Sequence, residues 1–179
     1  SVAKYIAVST REASFDVASM SKTSTKVFVL EVMGRHAGWI AAAGGLASSP
    51  DCEIPIVILF PEIAFDKAKF LAKVDSCVKQ YGYCSVVVSE GVKGEDGKFL
   101  SDQGLRDAFG HAQLGGVAPV VANIIKDGLG LKYHWGVADY LQRAARHVAS
   151  KSDVEQASAL GKAAVEYAIA GHNSVMPTI

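Results

Sequence analysis

The chain has 179 residues, half of them apolar and a fifth charged, which is enough for one ordinary domain with a buried core. Its 18 Lys plus Arg balance 18 Asp plus Glu, so no whole-molecule field points to nucleic acid or a membrane surface, and any anion site must be local. Cys52, Cys77 and Cys84 fit neither a disulfide framework nor zinc spacing, no apolar stretch reaches the ~20 residues of a membrane span, and no charged n-region precedes an apolar segment with a cleavage site; a cytoplasmic protein is expected.

In chain order, residues 2 to about 20 read as a helix that Ser21 to Thr25 break. Val27 to Met33 form an apolar strand interrupted only by Glu31, as expected where helices cover both faces of a sheet. His36 to Leu46 are predicted to be the next helix, Pro50 to Cys52 a turn, and Ile54 to Phe60 a second strand that Pro61-Glu62 stop, where a ligand or a neighbouring loop could sit. Phe65 to Tyr81 carry helical spacing with Gly82 as the cap, and Cys84 to Ser89 make a third strand before the exposed turn Lys93 to Lys98. A helix is predicted over Leu114 to Ile125, starting near Gly115-Gly116, then a strand over Leu131 to Val137. Ser152 to Glu155 match a capping box opening an Ala-rich helix that Gly171 closes, and Val175 to Ile179 begin what reads as another strand. Strand and helix alternate, so the economical architecture is α/β, a doubly wound, mainly parallel sheet flanked by helices.

The segment from Val27 to Ala41 is where ligand chemistry concentrates. An apolar strand breaks at Gly34-Arg35 and resumes as an Ala-rich helix, which would place glycine backbone, helix N–H groups and a forked cation at one strand end. Spacing alone leaves a ligand turn and an ordinary steric turn equally open. His36 reads as a packing or capping residue rather than an acid or base.

The wording goes further. Glu31-Val32-Met33-Gly34-Arg35, then Val86 to Gly91 delivering Glu90 at a strand end, then Asp139-Tyr140-Leu141-Gln142-Arg143, then the helix Gly161 to Gly171 leading into Ser174-Val175-Met176, together resemble the phosphofructokinase family in its order along nearly the whole chain. His36-Ala37-Gly38-Trp39-Ile40-Ala41 and Tyr140 look most like its pyrophosphate-dependent branch.

The resemblance implies a fructose 6-phosphate half-site. Met33, Gly34 and Arg35 would line the sugar, with Arg35 also near the transferring phosphoryl group as the catalytic cation. Glu90 would accept hydrogen bonds from sugar hydroxyls, while Tyr140 and Arg143 would hold the 6-phosphate. Lys26 and Lys132, with His134 nearby, would present charge across a subunit boundary, so a homo-oligomer, dimer or tetramer, is implied for the parent protein. The general base belongs to a T-I-D-N-D segment upstream of the position matching Ser1, and Mg²⁺, the implied cofactor, would be bound mainly by the donor-binding domain outside this chain; no metal site is expected within it. On this reading residues 1–149 form the fructose 6-phosphate-binding domain and 150–179 begin the return connection. The chain is expected to be part of a glycolytic transferase converting fructose 6-phosphate and pyrophosphate to fructose 1,6-bisphosphate and phosphate. The alternatives are part of an ATP-dependent 6-phosphofructokinase, or a stand-alone sugar-phosphate-binding module without catalysis.

Overall fold

The structure, a computed structural model, describes residues 1–106, 112–114 and 116–179. Helix α1 (Val2–Met20) leads into strand β1 (Val27–Val32), the short helix α2 (Trp39–Ala43), a 3-10 turn (Gly44–Ala47) and strand β2 (Ile56–Leu59). Helix α3 (Lys67–Tyr81) and strand β3 (Cys84–Ser89) follow, then the pair β4 (Asp102–Arg106) and β5 (Ala112–Leu114), helix α4 (Val117–Leu129) and strand β6 (Tyr133–Val137). Helix α5 (Leu141–Ala144), a second 3-10 turn (Arg146–Val148) and α6 (Lys151–Ile169) complete the order.

Four strands form the main sheet in the order β2-β3-β1-β6, all parallel, so the predicted doubly wound α/β architecture holds. Alternation along β1 explains the two layers. Val27 and Val29 join Val86, Val88 and Cys84 against α3 and α4, where Phe70, Val74, Val121 and Ile125 are buried. Leu30 and Val32 join Val87 on the other face, against Ile6 of α1 and Ala41 and Ala43 of α2. Burying such aliphatic side chains contributes about 1.5–3 kcal/mol each, which makes this double layer the main source of stability.

Several predicted boundaries move. The helix expected over His36 to Leu46 begins only at Trp39 and tightens into a 3-10 turn at Gly44, where a Cβ would come within 2.7 Å of Val87 on the sheet. Helix α4 starts at Val117, because Leu114 belongs to β5, which pairs antiparallel with β4, a region the sequence reading left without strands; Gly115 lies outside the described residues. The capping residue of α6 is Ser150, whose hydroxyl accepts the Asp153 amide at 3.4 Å, two residues before the predicted box. Residues 175–179 form no strand. Helix α3 ends where expected, at Gly82 with a φ of +86°, and starts two residues later than expected, at Lys67, where Asp66 caps the Lys69 amide at 3.0 Å.

Candidate functional site

The parallel register decides what meets at the sheet edge. Val32 of β1 pairs with Ser89 of β3, and Glu31 with Val137 of β6, so the residues that follow these strands emerge side by side. The ladder continues one step beyond the strands, with Glu90 N–H donating to the Val32 carbonyl and Ala138 N–H to the Glu31 carbonyl, each at 2.9 Å. Met33-Gly34-Arg35, Glu90 and Asp139-Tyr140 are thereby delivered to the carboxyl ends of adjacent strands. The chain leaves β1 toward β2 on one side and reaches β6 on the other, so this is also the switch point where open α/β sheets bind ligands.

The loop after β1 is held by side chains from its neighbours. Gly34 donates its N–H to Glu90 Oε1 at 3.3 Å and accepts from the Ser89 hydroxyl through its carbonyl. Its φ of +135°, and the 2.5 Å separation a Cβ would have from the Ala37 carbonyl oxygen, restrict this position to glycine. Met33 N–H donates to Gln142 Oε1 at 3.2 Å. The Glu90 carboxylate has lone pairs beyond the one Gly34 takes, so it can accept from a ligand hydroxyl as well.

The turn after β6 is strained. Asp139 sits at a φ of +39°, uncommon for a residue with a Cβ. It is followed by Tyr140, 60 % exposed, whose ring lies 4.3 Å below the Arg143 guanidinium. That stacking orients a forked cation beside a phenol at the mouth of the cleft. The cleft between the loops encloses about 200 Å³ and is bounded by Glu31, Met33, Arg35, Glu90, Asp139 and Gln142 among others. A more apolar cleft of about 280 Å³ lies beyond β2, but its charged lining is the locally paired Asp66 and Lys69, so polar chemistry converges on the first.

Glu31 is the residue the sequence flagged without explaining. It is 6 % exposed, and its Oε2 accepts the Ala118 N–H at 2.8 Å. The N-cap of α4 is Gly116, which has no side chain to cap with, so a carboxylate from the central strand takes that role. Burial pushes the Glu31 pKa above the ordinary carboxylate value; the Ala118 and Val117 amides oppose this, and the charges of Glu90 and Asp139 add to it.

Not every predicted site residue is gathered here. Lys26 and Lys132 precede β1 and β6, at the opposite edge of the sheet, roughly 20 Å from Met33 at the usual strand rise. There they sit together: Lys26 N–H donates to the Lys132 carbonyl at 2.9 Å, Lys26 Nζ to the Ser21 carbonyl at 2.6 Å, and Lys132 Nζ to Ser24 Oγ at 2.9 Å. The expectation that helix N–H groups after Gly34 would face a ligand is corrected: α2 is one turn long, and the amide of its N-cap residue, Gly38, donates to Glu62 Oε1 at 2.7 Å. The loop after β2 therefore fills that end. His36 is exposed, its ring 6.2 Å from that of Phe99. Gln142, Ser89, Asp139 and Gly91, which backs onto Arg35, are site-shaping residues the sequence reading did not assign, although all four stood inside its quoted motifs. Among the described residues no group of three or more His, Cys, Asp or Glu is placed to hold a metal ion, and no helix is long and apolar enough to cross a membrane.

Known proteins with this arrangement are numerous. A pyrophosphate–fructose 6-phosphate 1-phosphotransferase of Methylococcus capsulatus is 69% identical over 179 residues, covering 100% of this chain and 43% of the relative. The crystal structure of a pyrophosphate-dependent phosphofructokinase from Nitrosospira multiformis superposes with a TM-score of 0.81 at 79% identity, over 100% of this chain and 41% of that one. An ATP-dependent 6-phosphofructokinase 1 of Nostoc is 34% identical over 164 residues, covering 87% of this chain and 43% of the relative. The chain thus spans less than half the length of these relatives. The family profile described as phosphofructokinase matches residues 4–168, and this chain belongs to that family.

Proposed function

We propose that the chain is the fructose 6-phosphate half-site of a longer pyrophosphate:fructose 6-phosphate 1-phosphotransferase. The observation that carries this reading is the convergence of Met33-Gly34-Arg35, Glu90 and the stacked Tyr140-Arg143 at one sheet edge. In this reading the Glu90 carboxylate accepts from sugar hydroxyls, and the Arg143 fork grips the 6-phosphate with Tyr140 donating beside it. Arg35 faces the transferring phosphoryl group, where charge spreads in the transition state. The sugar 1-hydroxyl oxygen bonds to a terminal phosphorus of pyrophosphate, the bond to the bridging oxygen breaks, and orthophosphate leaves. The hydroxyl proton passes to a carboxylate base outside this chain.

Residues 1–149 would form the sugar-binding domain. Residues 150–179 would begin the connection to the donor-binding domain, consistent with α6 having no buried residue. Lys26 and Lys132, at the far edge, would serve a neighbouring subunit's site in a homo-oligomer. Mg²⁺, which neutralises phosphate charge in such transfers, would in this reading be held on the donor side, and no step of this half-site is routed through it. A cytoplasmic enzyme of glycolysis fits these properties. Pyrophosphate is preferred over ATP as donor because the ATP-dependent relative is 34% identical and the pyrophosphate-dependent one 69%.

The test is an assay of the full-length protein with fructose 6-phosphate, Mg²⁺ and either donor. Fructose 1,6-bisphosphate from pyrophosphate is the expected product. Turnover with ATP and none with pyrophosphate would move the protein to the ATP-dependent branch. No turnover with either donor, with sugar phosphate still bound, would favour a binding module.

A further inference from the structure

Gln142 is 1 % exposed and uses both ends of its amide. Oε1 accepts the Met33 N–H at 3.2 Å, and Nε2 donates to the Asp139 carbonyl at 2.7 Å. Met33 opens the loop after β1; Asp139 is the strained residue of the turn after β6. A non-glycine residue keeps a positive φ only when its surroundings over-determine it, and the Gln142 amide is one such constraint. Gln142 also stands next to Arg143, whose guanidinium is stacked on Tyr140. One buried side chain therefore ties together two loops that contribute to opposite sides of the cleft.

We infer that Gln142 is a positioning residue that sets the separation between the sugar-contacting loop Met33-Gly34-Arg35 and the phosphate-contacting pair Tyr140 and Arg143. The inference rests on the fructose 6-phosphate reading above. Its physical basis is the amide's fixed inventory of one acceptor end and one donor end, both engaged. A carboxylate at the same place could accept from Met33 but not donate to Asp139, and it would face Glu31 from β1, Glu90 from the β3 exit and Asp139 from the β6 exit, with Arg35, Tyr140 and Arg143 as the other charged or titratable groups around the cleft. Protonated, that carboxyl offers one donor and one acceptor again and can remake both bonds. Gln142→Glu is thus a reversible break, whereas Gln142→Met keeps the volume and can make neither bond.

The experiment titrates the isotopically labelled 179-residue chain with fructose 6-phosphate by NMR at several values between about pH 5 and pH 8, beside both variants, with circular dichroism to confirm folding. Taking the ratio of variant to unsubstituted affinity at each pH removes the titration of the sugar phosphate and of Glu31. Gln142→Glu is expected to bind about tenfold or more weakly at the alkaline end, the loss expected when a buried hydrogen bond is left unmade, and to recover as the pH falls. Gln142→Met is expected to stay weak throughout. Because either variant could misfold, hydrogen exchange on the unsubstituted chain supplies a second reading: the Met33 amide should exchange slowly, with the β1 amides, and exchange at an open-loop rate would overturn the inference. A Gln142→Glu affinity unchanged at alkaline pH, or lost without recovery on acidification, would also overturn it while leaving sugar-phosphate binding intact. Failure of the unsubstituted chain to bind fructose 6-phosphate at all is a separate result, which would remove the half-site reading and this inference with it.

Discussion

The backbone of Arg35 runs directly against Gly91: a Cβ on Gly91 would sit 2.0 Å from the Arg35 carbonyl oxygen and 2.6 Å from its Cα. The obstacle is main chain rather than a flexible side-chain tip, so an added methyl must push the Arg35 loop away from the β3 exit. Gly91→Ala is expected to destabilise the chain by about 1–3 kcal/mol, as overpacking does. In the full-length enzyme it should also lower turnover, since Arg35 is displaced. Urea unfolding and steady-state kinetics check the two effects; a variant matching the unsubstituted protein in both would show that the loop does not depend on this contact.

Arg35→Ala, in the full-length enzyme, is expected to reduce the turnover number by about 10²-fold or more, with a smaller change in the Michaelis constant for the sugar. Arg35 lines the cleft, and in the proposed half-site it would face the reacting end of the sugar, where charge grows in the transition state. Steady-state kinetics distinguish the cases. A raised Michaelis constant at unchanged turnover would reassign Arg35 to ground-state binding.

Arg143→Ala should act mainly on sugar-phosphate affinity, because the 6-phosphate is remote from the reacting hydroxyl; some loss of turnover through orientation is expected as well. Comparing fructose with fructose 6-phosphate as acceptor isolates the contact. The variant should discriminate between them much less than the unsubstituted enzyme. Equal discrimination would place the phosphate grip elsewhere.

Glu31 gives the fold a pH dependence of definite sign. Burial raises its folded pKa above the ordinary value near 4.5. Its favourable contribution is therefore fully present below the unfolded value and is lost as pH rises through the folded value. Glu31→Gln keeps an acceptor for the Ala118 amide but cannot ionise. Relative to the unsubstituted chain, the variant should gain stability as pH rises from the unfolded value near 4.5 through the raised folded value, and then level off. Urea midpoints measured across that range check this, and a difference that stays flat or falls would contradict it.

The architecture was legible because β1 and β3 are apolar runs that only a sheet covered on both faces can accommodate, and because Met33-Gly34-Arg35 and Glu90 stand directly after them. The local ends were less so. Glu62 takes the Gly38 amide from 24 residues away, and Gly44, where α2 gives way to a 3-10 turn, lies close against Val87, relations no local window contains. Glu31 carried a readable signal, a lone charge in a buried strand, yet its partner at α4 is 87 residues distant. Gln142 carried none, since a glutamine near a helix start is ordinary and its importance lies in reaching Met33 across 109 residues. The separation of Lys26 and Lys132 from the cleft follows from strand direction alone, since both precede parallel strands.

The central claim is that the carboxyl edge of this sheet is a fructose 6-phosphate half-site, and the most direct measurement maps binding on the 179-residue chain itself. With assigned backbone amides, titration with fructose 6-phosphate is expected to move the resonances of Met33, Gly34, Arg35, Glu90, Tyr140 and Arg143, with weak affinity because, in the proposed reading, a full site would draw charge from a neighbouring subunit. Fructose alone should move them much less at the same concentration. Shifts confined to the Lys26 and Lys132 edge, or none at any attainable concentration, would contradict the account.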